Sequence, residues 1–170
     1  DFDAVANQTV SVDTTDDDVA GFTIVELEGS TEVDESGTTD TFTVVLDAQP
    51  ASDVVISLAS DDTGEATVTS TLSFTATNWD TPQTVTVTGA DDTAIDSTQT
   101  STITISIIDA ISDNSFDAVA DKTVSVDTTD DDVAGFTITE LDGSTEVTEV
   151  GSTDTFTVCL LYTSPSPRDI

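Results

Sequence analysis

Apolar and polar positions alternate along most of this chain with a period of two. Phe22 and Ile24 share one face of the run at 21–27, and Phe42, Val44 and Leu46 share one at 40–47. Val54, Ile56 and Leu58 follow, then Leu72 with Phe74, Val85 with Val87, Ile103 with Ile105 and Ile107, and Val124 with Val126. Such a period sends successive side chains to opposite faces of a strand. The intervening positions are mainly Thr and Ser, which suit a solvent-facing strand surface. Runs of this kind, separated by turns rich in Gly, Asp and Ser, predict an all-β fold, an immunoglobulin-like antiparallel β-sandwich of about seven strands. No segment carries the apolar spacing of an amphipathic helix.

A long internal repeat organises these strands. Residues 2–44 recur at 116–158 with an offset of 114, and 36 of the 43 aligned positions are identical. A period of that size suits one domain per repeat. Residues 1–19 therefore read as the last strand of a preceding module and 20–132 as a complete module. Residues 133–158 read as the first strands of a truncated next module, expected to be frayed or opportunistically paired. The match ends after Val158. The segment 159–169 holds the single Cys, the single Tyr and one of the two basic residues. It resembles a translated sequencing adapter, so 159–170 is expected to be a non-native tail, and Cys159 carries no chemical argument. The chain opens at Asp1 in mid-pattern, as a fragment does.

Composition narrows the functions. There are 35 acidic and 2 basic residues among 170, no His, and a formal net charge of -33. Phosphate binding requires Lys and Arg, so nucleic acid is excluded as a partner, and an anionic membrane surface with it. No apolar run is long enough to insert into a bilayer. Without His there is no catalytic triad and no imidazole metal site. No Gly-rich phosphate loop occurs. Paired carboxylates can cleave glycosides, but here the acids sit in Asp/Thr/Ser turns and no aromatic cluster marks a sugar cleft. The chain reads as no enzyme. Trp79 reads as a buried anchor beneath a turn.

The acids are not scattered evenly. With alternating strand directions, the first, third, fifth and seventh runs all finish at one end of the sandwich. They finish at Glu26 and Glu28, at Asp61 and Asp62, at Asp91 and Asp92 with Asp96 nearby, and at Asp130, Asp131 and Asp132. Converging carboxylates repel one another. Calcium takes six to eight oxygen ligands, and magnesium demands tighter geometry. Asp is also an ordinary turn residue, and solvated turn acids in a protein kept soluble by charge give the same pattern.

The module resembles a Calx-beta domain. The matching elements are AGFTIVE at 20–26, VDESGTTDTFTVVL at 33–46, TLSFTATNWDTPQTVTVTGADD at 71–92, STITISIID at 101–109 and VDTTDDD at 126–132. The resemblance implies a calcium-binding sandwich of the kind found in arrays in large bacterial surface or secreted proteins. It further implies that Glu26, Asp91, Asp92, Asp130, Asp131 and Asp132 are ligands, with Glu140 the counterpart of Glu26 in the second copy. The loop DDTAIDSTQ departs from the family pattern, with Asp96 and Gln99 where further Glu is usual. A weak extracellular-type site, with Kd on the order of 10⁻⁴–10⁻³ M, is therefore expected.

Together these readings describe a non-catalytic, calcium-binding extender or adhesion module, extracellular or on the cell surface, with Ca²⁺ rigidifying the junction between modules. Neighbouring modules are its first partners, and a cell-surface or matrix ligand is a further candidate. Two rivals stay open: a ligand- or glycan-binding adhesin module, and a calcium-independent acidic spacer.

Overall fold

The computed structural model describes residues 6–163. The ends of the expected first segment (1–5) and of the expected tail (164–170) lie outside the described residues. Nine strands form the complete module: β1 (Phe22–Glu26), β2 (Thr31–Asp34), β3 (Thr39–Leu46), β4 (Val54–Ser60), β5 (Ala66–Val68), β6 (Thr71–Phe74), β7 (Gln83–Gly89), β8 (Gln99–Ile107) and β9 (Lys122–Thr129). They make two sheets, ordered β1-β3-β7-β5 and β2-β9-β8-β4-β6. The inward positions are the predicted ones. Phe22, Phe42, Val44, Val54, Ile56, Phe74, Val85, Val87, Ile103, Ile105 and Val126 are all fully buried between the sheets. Burying side chains of this size stabilises by about 1.5–3 kcal/mol each, which makes this face the main source of stability. Trp79 is half-buried against that core, and its carbonyl accepts the Leu46 N–H.

The two strands beyond the expected seven arise where a run changes sheets. After β1 the chain turns through Gly29, whose φ of 85° is in the left-handed region that glycine adopts freely. It then joins the opposite sheet as β2, beside β9, in the same direction as β9. This pair is parallel; the other strand pairs of the module are antiparallel. Likewise β5 pairs with β7 in one sheet and β6 with β4 in the other. Each switch places a short strand at a sheet edge, which limits edge-to-edge association.

The two ends of the sandwich are closed differently. At the end away from the acids, Phe116 plugs the core from a single 3-10 turn. Asp113 beside it accepts N–H bonds from Ala51 and Ser52 at 2.7 and 2.8 Å and from Ser115 at 2.9 Å. Lys122 also lies on this side of the module. Its Nζ donates to the Phe22 carbonyl and sits 5.0 Å from the Phe22 ring centre. At the acidic end the sheets close by direct backbone approach. The Gly89 N–H extends the β3–β7 ladder to the Thr38 carbonyl, and across the sandwich a Cβ on Gly89 would lie 2.0 Å from the Asp34 carbonyl oxygen.

The second copy contributes one hairpin, β10 (Val133–Glu140) with β11 (Phe156–Thr163), in a separate two-stranded sheet. Its register repeats that of the first copy: Phe136 opposes Leu160 as Phe22 opposes Leu46, 114 residues earlier. Within 133–158, expected to be frayed or opportunistically paired, 133–140 and 156–158 pair in this hairpin and 141–155 form no strand. β11 runs on across position 159 to Thr163. Cys159, Leu160, Leu161, Tyr162 and Thr163 are all compatible with extended chain, and they meet β10 at its first five positions. Residues 6–21, by contrast, form no strand.

Gly89→Ala is expected to destabilise the module by about 3 kcal/mol, since backbone rather than a movable side chain occupies the space. Urea denaturation of the variant against the parent measures it, and an unchanged midpoint would contradict the close approach.

Candidate metal centre

Three inward-facing rows run out of apolar residues at the same end. Along β2, Thr31 and Val33 point inward, and the next inward position is Glu35, only 1% exposed. Along β9, Val124, Val126 and Thr128 are buried, and the alternation continues to Asp130 and to Asp132, 8% exposed. In the turn before β5, Glu65 is 8% exposed. The period that builds the core thus carries carboxylates into its rim.

These acids interlock. Glu35, Asp92 and Asp132 offer carboxylate oxygens all within 4.8 Å of one another. Glu35, Asp96 and Asp130 form a second such set, and Glu65, Asp92 and Asp96 a third. Glu35, Asp92 and Asp96 each belong to two sets, so six carboxylates from four chain segments make one continuous cluster. Among the described residues, both oxygens of Glu35, Asp131 and Asp132 and one of Glu65 are buried without a hydrogen-bond donor. Burying a charge without partners is costly, and nearly all buried polar groups in proteins are paired. An all-oxygen, all-anionic donor set of this kind could hold a hard cation.

The electrostatics follow from that crowding. Burial, reinforced by Asp92, Asp130, Glu65 and Asp96, pushes the Glu35 carboxyl up to about 7. Burial and the neighbouring Asp96 and Asp92 raise Glu65. Asp131 is raised by burial and by Asp91, and Asp132 by burial and by Asp130. Asp130 moves the opposite way, because backbone N–H groups of Asp132, Ser97 and Asp96 point at it. Its Oδ2 accepts from Asp96 at 3.1 Å and from Ser97 at 3.0 Å. Ser97 takes a φ of 68° to make that bond. Asp130 therefore anchors the β7–β8 loop and brings Asp96 in.

The sequence-predicted residues divide. Asp92, Asp96, Asp130 and Asp132 come together in the sets, and Asp131 lies beside Asp91. Asp62 bears on Glu65 but spends one oxygen on the Gly64 N–H at 2.9 Å. Asp61 and Glu26 are in none of the three sets. Asp61 is instead bonded to the Thr102 N–H at 2.7 Å, and Glu26 accepts from the Thr31 hydroxyl at 3.4 Å. Glu26 stays outside the sets because β1 remains in its own sheet while the chain crosses over before Glu35. Glu35 and Glu65 are not among the predicted ligands; Glu35 is the most buried acid of the cluster, and Glu65 is as buried as Asp132. The Thr31-Val33-Glu35 alternation was the available signal for the first. For Glu65 the sequence holds none, because its turn becomes inward-facing only through β5.

No family model matches the sequence, and no curated protein matches it. Among solved structures, the chain is similar to SSP-19, an MSP-domain protein like family member in Caenorhabditis elegans. That match has 17% identity and a TM-score of 0.38, over 59% of this chain and 92% of that one. It is also similar to the E. coli chaperone DraB, at 8% identity and a TM-score of 0.45, over 65% of this chain and 56% of that one. No helix among the described residues is long and apolar enough to cross a membrane.

Glu35, Glu65, Asp131 and Asp132 hold their protons more tightly in the folded state than in the unfolded chain. In the presence of chelator, this contribution to stability is full below the ordinary carboxyl value of a glutamate, 4.5, and lost as pH rises through about 7. Thermal denaturation should give a Tm lower at pH 8 than at pH 5 by on the order of 5 °C. Glu35→Gln should flatten the profile, and a parent Tm that is higher at pH 8 would refute the crowding.

Proposed function

We propose that this chain is part of a tandemly repeated, non-catalytic, extracellular protein whose modules bind calcium at their acidic end and are stiffened by it at the joint to the next module. The observation that carries the reading is the interlocked cluster around Glu35, whose two buried oxygens have no donor. Calcium accepts six to eight oxygens in flexible geometry, which suits carboxylates from several loops better than the strict octahedron of magnesium. Glu35, Glu65, Asp92, Asp96, Asp130 and Asp132 would be the ligands, with Asp91 and Asp131 close by. Two sets share each of Glu35, Asp92 and Asp96, so adjacent ions could be bridged. Asp132 directly precedes Val133, the first residue of β10. An ion held there fixes the backbone of the linker, and that is the mechanical consequence. The resemblance to Calx-beta domains read from the sequence motifs points the same way. Asp96 is exposed and Asp92 half-buried, in keeping with weak affinity, Kd on the order of 10⁻⁴–10⁻³ M.

Calcium at ten times Kd should stabilise the module by about 1.4 kcal/mol, a Tm rise of roughly 5–10 °C. Glu35→Gln should remove at least half of that rise, and a chain of two complete modules should lengthen in small-angle scattering when calcium is added. Matching curves with calcium and with sodium chloride of equal ionic strength would leave only an acidic spacer.

A further inference from the structure

Glu65 reaches the acidic cluster by a crossing between sheets. β4 belongs to one sheet and β5 to the other, and Glu65 is the residue just before β5. Asp61 closes the ladder that the chain leaves. The β4–β8 register, Ser60 opposite Ile103, puts Asp61 opposite Thr102. The Asp61 N–H donates to the Thr102 carbonyl at 3.1 Å. The return bond goes to the side chain, the Thr102 N–H donating to Asp61 Oδ1 at 2.7 Å. Opposed antiparallel residues ordinarily exchange two backbone bonds. Here a carboxylate oxygen takes the place of the Asp61 carbonyl, which lets the main chain depart from the sheet.

Asp62 then turns the chain. Its Oδ1 accepts the Gly64 N–H at 2.9 Å, the bond by which an aspartate side chain mimics a backbone turn. Its carbonyl accepts the Ser60 hydroxyl at 2.9 Å and the Ala66 N–H at 3.1 Å. The receiving side is as closely tied. The Glu65 carbonyl accepts the Ala90 N–H at 2.8 Å, continuing the β5–β7 register of Ala66 opposite Gly89. It also accepts the Thr128 hydroxyl at 3.3 Å, and Thr128 is a fully buried residue of the other sheet. Both tethers come from strands that run on into the cluster. Ala90 stands two residues before Asp92, and Thr128 two before Asp130.

We infer that Asp61 and Asp62 are positioning residues, hydrogen-bond acceptors that carry the chain between the sheets and set Glu65 in the acidic cluster, and are not ligands themselves. What Glu65 does there rests on the calcium reading of the proposed function; how it arrives rests on these bonds. The two roles ask different things of a side chain. A calcium ligand in an anionic set gains from negative charge, and a longer carboxylate still serves. A turn acceptor needs one oxygen at a fixed reach from its own backbone, and no charge. Asparagine keeps that oxygen and drops the charge. Glutamate keeps the charge and carries it one methylene farther out.

Calcium titration of the full chain, read as the rise in Tm, separates the roles at position 62. Asp62→Glu should raise the calcium Kd on the order of ten-fold or more. Asp62→Asn should raise it by less than about five-fold, the scale of one exposed charge pair. Amide hydrogen exchange in chelator reads the turn without any ion. The Ala66 and Ala90 N–H groups should stay protected in Asp62→Asn and lose protection in Asp62→Glu, while those of β8 stay protected in both. Asp61→Asn against Asp61→Glu should give the same contrast at the Thr102 N–H. A parent that ignores calcium while the exchange contrast holds would sink the calcium reading and leave the positioning role standing. Equal exchange in the two variants, or tighter calcium binding by Asp62→Glu than by Asp62→Asn, would overturn that role.

Discussion

The constraint on which this structure turns is the gathering of carboxylates at one end of a closed β-sandwich. Closing the core forces β2, β7 and β9 to converge, and the inward positions just beyond them are acids. Glu35 has no way to face water without pulling β2 off β9, because Thr31, Val33 and Glu35 share one face. The apolar core and the charged rim are therefore coupled: the stability of the first sets the repulsion that the second must tolerate. Any agent that neutralises the rim, a proton or a cation, acts directly on the sheet-to-sheet contact at Gly89 and Asp34.

The identical segments 9–24 and 123–138 show how little of this is local. The same Thr-Val-Ser-Val-Asp-Thr-Thr forms no strand at 9–15 and all but the first residue of β9 at 123–129, with its inward positions buried. β-propensity expresses fit to a neighbouring strand more than an intrinsic backbone preference, and only the second copy has β8 and β2 beside it. The hairpin is the complementary case. Its register repeats because side chains within it, such as Asp154 and Ser152, bond its own backbone.

The same distinction explains what the sequence disclosed. Alternation named the core correctly from Phe22 to Val126, because period two is a property of each strand alone. Strand direction, alternating along the chain, placed the acidic end. The sheet switches at β2 and β5 were not legible. They depend on which edge remains open after the other strands have paired, and the residues that make the site most buried ride on them. Glu26 illustrates the cost. It stands at the end of the first strand, where the resemblance puts a ligand, but the acid buried in the cluster is Glu35, which follows the crossing. Asp61 was drawn away by the Thr102 N–H, a competition that spacing cannot reveal.

Asp113 gives the far end of the module an opposite temper. Backbone N–H groups of Ser115, Ser52 and Ala51 hold its carboxyl down at about 2, so that closure endures until strong acid, while acidification relieves the rim at the other end. The two ends thus answer acid differently: protons relieve the crowded rim, whereas the Phe116 plug loses its anchor only when the Asp113 carboxyl is protonated near pH 2, so strong acid would open the module from the plug toward the acids.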